Sequence, residues 1–374
     1  MFRWIVLFIL LSVHFPDGAA RAEPPPTPLA RTGQASCYQW SPSTATHCAD
    51  TGQDGEIQAG VAWPDPRFVE NGDGTVTDTL TGLAWTQDAD PAGGVENWEH
   101  ALDRVRDLNR RNHLGHSDWR LPNVNELESL VNKQHDVAAW LNLQGFRNVR
   151  KNGYWTSSTY AVYPACAWSV GMYSGIVAGR SKAEVGHVWP VRRGRAGAVI
   201  LPKTGQTACY DASGEVIACS GTVQDGEIRA GADWPTPRFS ENGDRTVTDR
   251  LTGLVWSKDA DSPGPPACGA GTRKAGQAAL DHVRCLNVSR YLGRSDWRLP
   301  NRNELASLVN RGQSSNAAWL NTQGFVGVQA GGYWSSSTYV PTPWNAWGVN
   351  MHDGAVTSFA KKHAISVWPV CGGR

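Results

Sequence analysis

The sequence predicts an α+β protein built as two tandem domains, and three observations carry that expectation. Nearly the whole chain occurs twice, each copy carries two helix signals, and each copy closes in short aromatic runs suited to strands. Thr32-Gly33-Gln34 with Cys37 and Tyr38 returns as Thr204-Gly205-Gln206 with Cys209 and Tyr210, a shift of 172 residues. Gln53 to Ile57 returns as Gln224 to Ile228, and Ser117 to Asn123 returns as Ser295 to Asn301. Gly153-Tyr154-Trp155 answers Gly332-Tyr333-Trp334, and Val188 to Val191 answers Val367 to Val370. A period this long means globular domains in tandem, because solenoid units run to only about 20–50 residues.

In chain order, Arg3 followed by the apolar run Trp4 to Val13 and the small-x-small triplet Ala20-Arg21-Ala22 reads as a signal peptide over 1–22. About ten apolar residues are too few to span a bilayer, so no membrane insertion is expected after cleavage, and the protein is expected in the periplasm, at the cell surface or outside the cell. Residues 23–31 are Pro-rich and read as a tether, 32–195 as the first domain, 196–203 as a linker and 204–374 as the second domain. Within the first copy, Asn71-Gly72-Asp73-Gly74 between Arg67-Phe68-Val69 and Thr75-Val76-Thr77 predicts a β-hairpin. Trp98, Ala101, Leu102, Val105 and Leu108 recur at helical spacing. A second helix is expected after Pro122, with Asn123 as its N-cap and Glu126 reaching back to the cap, a device repeated at Asn301 and Glu304. The Trp, Tyr, Ser and Gly runs that follow suit a twisted antiparallel sheet.

Charge excludes one function class. The chain has 35 Lys+Arg against 34 Asp+Glu, so it lacks the basic excess that nucleic-acid binding needs. The first copy carries 15 Lys+Arg and 18 Asp+Glu and the second 17 and 14, opposite signs that favour their meeting. Arg147, Arg150 and Lys151, or Arg180 with Lys182, are candidates for a local basic patch and also read as solvated surface charge.

In their order, Arg-Phe, Asn-Gly-Asp-Gly-Thr-Val-Thr-Asp, Asp-Trp-Arg-Leu-Pro-Asn with Glu-Leu, Tyr-Trp-Ser-Ser and the closing Trp-Pro-Val resemble the bacterial domain named after the C-terminal part of a Legionella collagen-like adhesin. The resemblance covers nearly the whole chain after residue 31, twice. It implies a C-type-lectin-like fold whose relatives include formylglycine-generating enzymes and variable ligand-binding domains. In the adhesin the domain is associated with sulfated-glycan binding and oligomerisation. A glycan or a cell-surface protein is therefore the expected partner, with an oligomer left open.

Eight Cys in an exported chain suggest disulfides. Cys37 with Cys48 answers Cys209 with Cys219; Cys268 and Cys285 have no counterparts and pair together; Cys166 and Cys371 remain by elimination, and a bond between them would tie the two domains together. A thiol-oxidase reading in the manner of formylglycine-generating enzymes stays open, although neither copy supplies a late Cys pair alone. Asn71, Asp73 and Asp78, with Asn242, Asp244 and Asp249, offer oxygens to Ca²⁺, but Asn-Gly and Asp-Gly also serve a tight turn and the Glu that closes an EF-hand loop is absent. No lectin-type Ca²⁺ signature occurs, so no cofactor or metal is expected. No His is matched between copies, no Gly-x-Ser-x-Gly elbow occurs, and Asp118 with Glu126 reads as local structure, so no catalytic residue is expected. Leu201-Pro202-Lys203-Thr204-Gly205 has the form of a sortase signal but opens the second repeat without an apolar tail behind it.

Aromatic residues supply the remaining candidates. Seven Trp positions coincide between copies: Trp63, Trp85, Trp119, Trp140, Trp155, Trp168 and Trp189 answer Trp234, Trp256, Trp297, Trp319, Trp334, Trp347 and Trp368. Most must fill cores, while rings flanking variable loops can stack on sugars. The ligand-binding candidates are Tyr154, Trp155, Tyr160 and Trp168, with Tyr333, Trp334, Tyr339 and Trp347. The expectation is a non-catalytic, adhesin-like binding protein, with a purely structural envelope module as the third alternative.

Overall fold

Local chemistry sets each element, and both copies run through the same series. The computed structural model describes residues 27–39 and 43–372, so the expected signal peptide and residues 23–26 of the tether lie outside the described residues. The first copy runs β1 (Cys37–Tyr38), β2 (Ala45–Thr46), α1 (Asp54–Ile57), β3 (Phe68–Glu70), β4 (Thr75–Asp78), β5 (Leu83–Thr86), α2 (Trp98–Arg110), α3 (Val124–Ser129), α4 (Val137–Asn142), β6 (Gly153–Thr159), β7 (Cys166–Gly171), β8 (Val177–Ser181) and β9 (Val191–Arg193). The second runs β10 (Cys209–Tyr210), β11 (Val216–Ile217), α5 (Asp225–Ile228), β12 (Phe239–Glu241), β13 (Thr246–Asp249), β14 (Val255–Ser257), α6 (Gly276–Val288), α7 (Arg302–Ser307), α8 (Asn316–Asn321), β15 (Gly332–Thr338), β16 (Asn345–Asn350), β17 (Val356–Ala360) and β18 (Val370–Cys371).

The expected hairpin joins β3 to β4. Gly72 and Gly74 adopt φ of 79° and 84°, and Asp73 Oδ1 accepts from Thr75 N at 2.9 Å and Thr75 Oγ1 at 2.6 Å. Helix α2 buries the five apolar residues its spacing marked, and both predicted capping boxes form, at Asn123 with Glu126 and at Asn301 with Glu304. In each copy the last strand returns to the first sheet, giving the four-stranded orders β3-β4-β5-β9 and β12-β13-β14-β18.

The copies are not beads on a string. Strands β6-β7-β8 and β15-β16-β17 join through the antiparallel pair Val177 and Val356 into one six-stranded sheet, order β15-β16-β17-β8-β7-β6. These two valines are matched positions, so a pseudo-twofold axis passes between them. α3 packs on β6 and β7, α7 packs on β15 and β16, and one apolar core runs through both copies.

Each copy's amino-terminal segment also packs on the other copy. α1 packs on β15, and α5 packs on β6. The Gln34 side-chain amide pairs with the backbone of Thr338, accepting from its N and donating to its O, both at 2.8 Å. Gln206 does the same to Thr159, at 2.8 and 2.7 Å. Asp54 Oδ2 accepts from Ser337 Oγ at 2.5 Å and from Thr32 Oγ1 at 2.7 Å; Asp225 Oδ2 accepts from Ser158 Oγ and Thr204 Oγ1 at the same distances. The expected linker and the end of the expected tether belong to this exchange. Thr27 is buried and its N donates to Leu251 O, and the matched Val199 is buried and its N donates to Leu80 O.

Three expected disulfides are present, Cys37–Cys48, Cys209–Cys219 and Cys268–Cys285. The fourth, Cys166–Cys371, is not: both residues are free thiols. Cys166 opens β7 in the shared sheet, whereas Cys371 lies buried on β18 in the second copy's small sheet, so pairing by elimination joined positions that the topology separates.

Candidate functional site

All eight aromatic candidates are buried, so none is a surface platform for a sugar. Tyr154, Trp155, Tyr333 and Trp334 have no exposure, and Tyr160, Trp168, Tyr339 and Trp347 retain 8% at most. The polar atoms of four of them are spent inside the fold, while the Trp168 and Trp347 Nε1 atoms are buried without a hydrogen-bond partner among the described residues. Tyr154 Oη accepts from Arg150 N at 2.8 Å and Tyr333 Oη from Gln329 N at 2.7 Å, while Trp155 Nε1 donates to Glu96 O and Trp334 Nε1 to Lys274 O. Trp168 lies under Arg311 with the guanidinium 4.3 Å from the ring, and Trp347 under Arg302 at 4.9 Å. A ring matched between copies reports a shared packing position, and the four matched pairs are core for that reason.

The exposed aromatics are instead unmatched. Tyr163 is 63% exposed, Trp344 60% and Tyr173 51%, and their counterparts are Thr342, Ala165 and His352. The departure from repeat symmetry is the signal in the sequence for them, whereas the expectation rested on matched rings that flank variable loops. Tyr163 lies on the β6–β7 loop and Trp344 on the equivalent β15–β16 loop. Because β7 and β16 run antiparallel across the shared sheet, these loops stand at opposite ends of it.

Each end combines both copies. At the first, Tyr160 donates to Asp353 of the β16–β17 turn at 2.8 Å, with the Tyr163 ring 6.0 Å from the Tyr160 ring. The turn at Gly214, from the exchanged segment of the second copy, packs on Pro164 and Ala165. Beneath that segment Lys182 donates to Asp211 O at 2.8 Å and lies 4.2 Å from the Trp98 ring, and burial pushes its pKa down to about 8. At the second end, Trp344 and Tyr173 face solvent. Lys151 sits 5.5 Å from the Tyr173 ring and pairs with Asp136 at 2.7 Å, a contact that raises the lysine's pKa.

The other sequence candidates fall into structural places. Asp78 is buried and takes both Arg67 nitrogens at 2.9 and 3.0 Å, repeated by Asp249 with Arg238, so the hairpin carboxylates serve the fold. Among the described residues no group of three or more His, Cys, Asp and Glu is arranged to hold a metal ion. Glu126 pairs with Arg120, and Asp118 pairs with Arg192 at 2.7 Å, which places the two acids in separate ion pairs. In the expected basic groups, Arg150 pairs with Asp90, Lys151 with Asp136 and Arg180 with Glu184, while Lys182 is buried. Burial raises the thiol pKa of Cys166, and that of Cys371 to about 11, which keeps both protonated at neutral pH. No helix among the described residues is long and apolar enough to cross a membrane.

A comparison with curated proteins finds no match. The family model described as the Lcl C-terminal domain matches two segments, residues 74–192 and 245–371, and leaves outside it the segments that the two copies exchange. The chain belongs to the Lcl C-terminal domain family and carries two tandem copies of the domain.

Proposed function

We propose that this is an exported, non-catalytic binding protein of adhesin type, with C-type-lectin-like halves, that recognises a glycan or a surface protein through the aromatic loops at the two ends of its shared sheet. The observation that carries the reading is the exposure of Tyr163, Tyr173 and Trp344, the large rings that the repeat does not require for packing. Flat rings held on short loops cost little conformational entropy when they stack on a ligand, which is why aromatics anchor many recognition surfaces. The family assignment supports an adhesin-like role, and three disulfides fit an oxidising compartment. Two ends facing opposite ways suit bridging between two partners, where linked sites raise avidity.

The test is a glycan array on the chain from residue 23, with and without Ca²⁺. Saturable binding that Trp344→Ala or Tyr163→Ala weakens at least tenfold, with the fold intact, supports the reading. Absence of binding to glycans and to whole bacterial or host surfaces overturns it in favour of a purely structural envelope module.

A further inference from the structure

On the pseudo-twofold axis, away from the loop ends, the halves form a partly open cavity of about 110 Å³. Its walls are matched apolar pairs, Leu29 with Leu201, Leu80 with Leu251 and Val131 with Val309. Arg31 and Lys203, a matched pair of half-exposed cations, mark its solvent side. One wall breaks the symmetry, because Glu128 of α3 stands where α7 has Ala306.

Charge around this cavity is unevenly matched. Glu128 pairs with Arg302 and also with Arg311 at 3.4 Å, so the only carboxylate in the lining among the described residues is already held by two buried guanidiniums. Lys133 lines the same cavity and is 5% exposed. Its Nζ donates to Val131 O at 2.8 Å, which leaves one N–H of the amine, or two of the ammonium, without an acceptor among the described residues. Burial and the neighbouring Arg302 disfavour its charged form, and an arriving counter-ion would restore it. We propose that the cavity binds a small amphiphilic anion, an alkyl or aryl carboxylate about the size of a benzene ring or a six-carbon chain, with its body between the Leu and Val pairs and its carboxylate on Lys133. A neutral apolar guest would fill the walls and leave the lysine donors unused. A cationic guest would meet Arg31, Lys203 and Lys133.

The site is separate from the loop-end surface, so either reading can fail without the other. The test titrates hexanoate, hexanol and hexylammonium into the full chain by calorimetry, with fluorescence of the lining Trp63 and Trp234 as a second readout. The expected result is one saturable hexanoate site, at least tenfold tighter than hexanol, with no hexylammonium binding. Lys133→Met should bring hexanoate down to the level of hexanol, and Val309→Phe should remove both by filling the cavity. Lys133→Gln is the second variant should the methionine disturb the fold. Absence of saturable hexanoate binding to the native chain overturns the proposal and leaves a packing void, and so does hexanoate affinity unchanged in folded Lys133→Met or Lys133→Gln.

Discussion

Helix α2 of the first copy is capped by Asn97, whose side chain accepts from His100 N at 2.9 Å, whereas α6 of the second has Ala275 at that position and no side-chain cap. In place of the cap, α6 carries Cys285, bonded to Cys268 in the preceding turn across 17 residues. A side-chain cap contributes about 1 kcal/mol and a disulfide closing a loop of this length about 3 kcal/mol. The axis shows a deeper asymmetry. Val124, Glu128 and Lys133 in one copy stand where the other has Arg302, Ala306 and Arg311, and the carboxylate of the first is held by the guanidiniums of the second. The copies share a fold and yet are complements rather than interchangeable units.

The largest expected effect comes from separating them. Residues 27–198 alone retain Glu128 and Lys133 and should assemble as a homodimer that exchanges amino-terminal segments between chains. Residues 199–372 alone would bring two pairs of buried arginines together without a carboxylate, and should fail to form a stable dimer. Light scattering with thermal unfolding reads both, and a stable folded monomer from either fragment would break the comparison. Next, Glu128→Ala in the full chain strands two buried guanidiniums and should cost about 3–5 kcal/mol in denaturant unfolding. A loss under about 1 kcal/mol would mean that water reaches the pair.

The exchange joint is predicted to respond to pH. Burial raises the pKa of both Asp54 and Asp225 from 3.8 to about 6. Opposing this are the hydrogen bonds from Ser337 and Thr32 to Asp54, from Ser158 and Thr204 to Asp225, and the nearby Arg298 and Arg120; Glu304 and Glu126 add to the rise. Because the folded pKa lies above the unfolded one, the stabilising contribution is complete below about pH 4 and is lost as pH rises through about 6, at up to about 3 kcal/mol per carboxyl. The double variant Asp54→Asn, Asp225→Asn should flatten the stability profile between pH 4 and 7.5, and an unchanged profile would assign that titration elsewhere. The smallest effects sharpen the helix comparison: Cys268→Ser with Cys285→Ser should cost about 3 kcal/mol and Asn97→Ala about 1 kcal/mol, measured in one denaturant series.

What the sequence disclosed follows from how far each signal reaches along the chain. The Asn71 to Gly74 hairpin, the α2 stripe and the capping boxes at Asn123 and Asn301 are written within a few residues, and each appears where its pattern puts it. Thr32-Gly33-Gln34, Gln53 to Ile57 and Gly153-Tyr154-Trp155 were visible as repeats. A repeat, however, cannot say whether Gln34 meets Thr159 or the identical neighbourhood at Thr338, and the structure uses the distant one. The candidate site failed for a related reason. Matching singled out Trp155, Trp168, Trp334 and Trp347, which both copies need for packing, and passed over Trp344 and Tyr163, which neither core requires.

The exchange also dictates an order of assembly. Gln34 pairs with Thr338, 304 residues later, whereas Gln206 pairs with Thr159, already synthesised before it. As the chain is made from its amino terminus, the first half can gather its borrowed segment once residues 199–232 have emerged, and its early strands need wait no longer. Residues 27–61 bond to Lys133 and Gln134 of their own half, but their partner across the joint, Thr338, ends β15, late in the second half. The beginning of this protein therefore waits longest to complete its contacts, because the joint at Gln34 and Asp54 closes only once β15 of the second half has emerged.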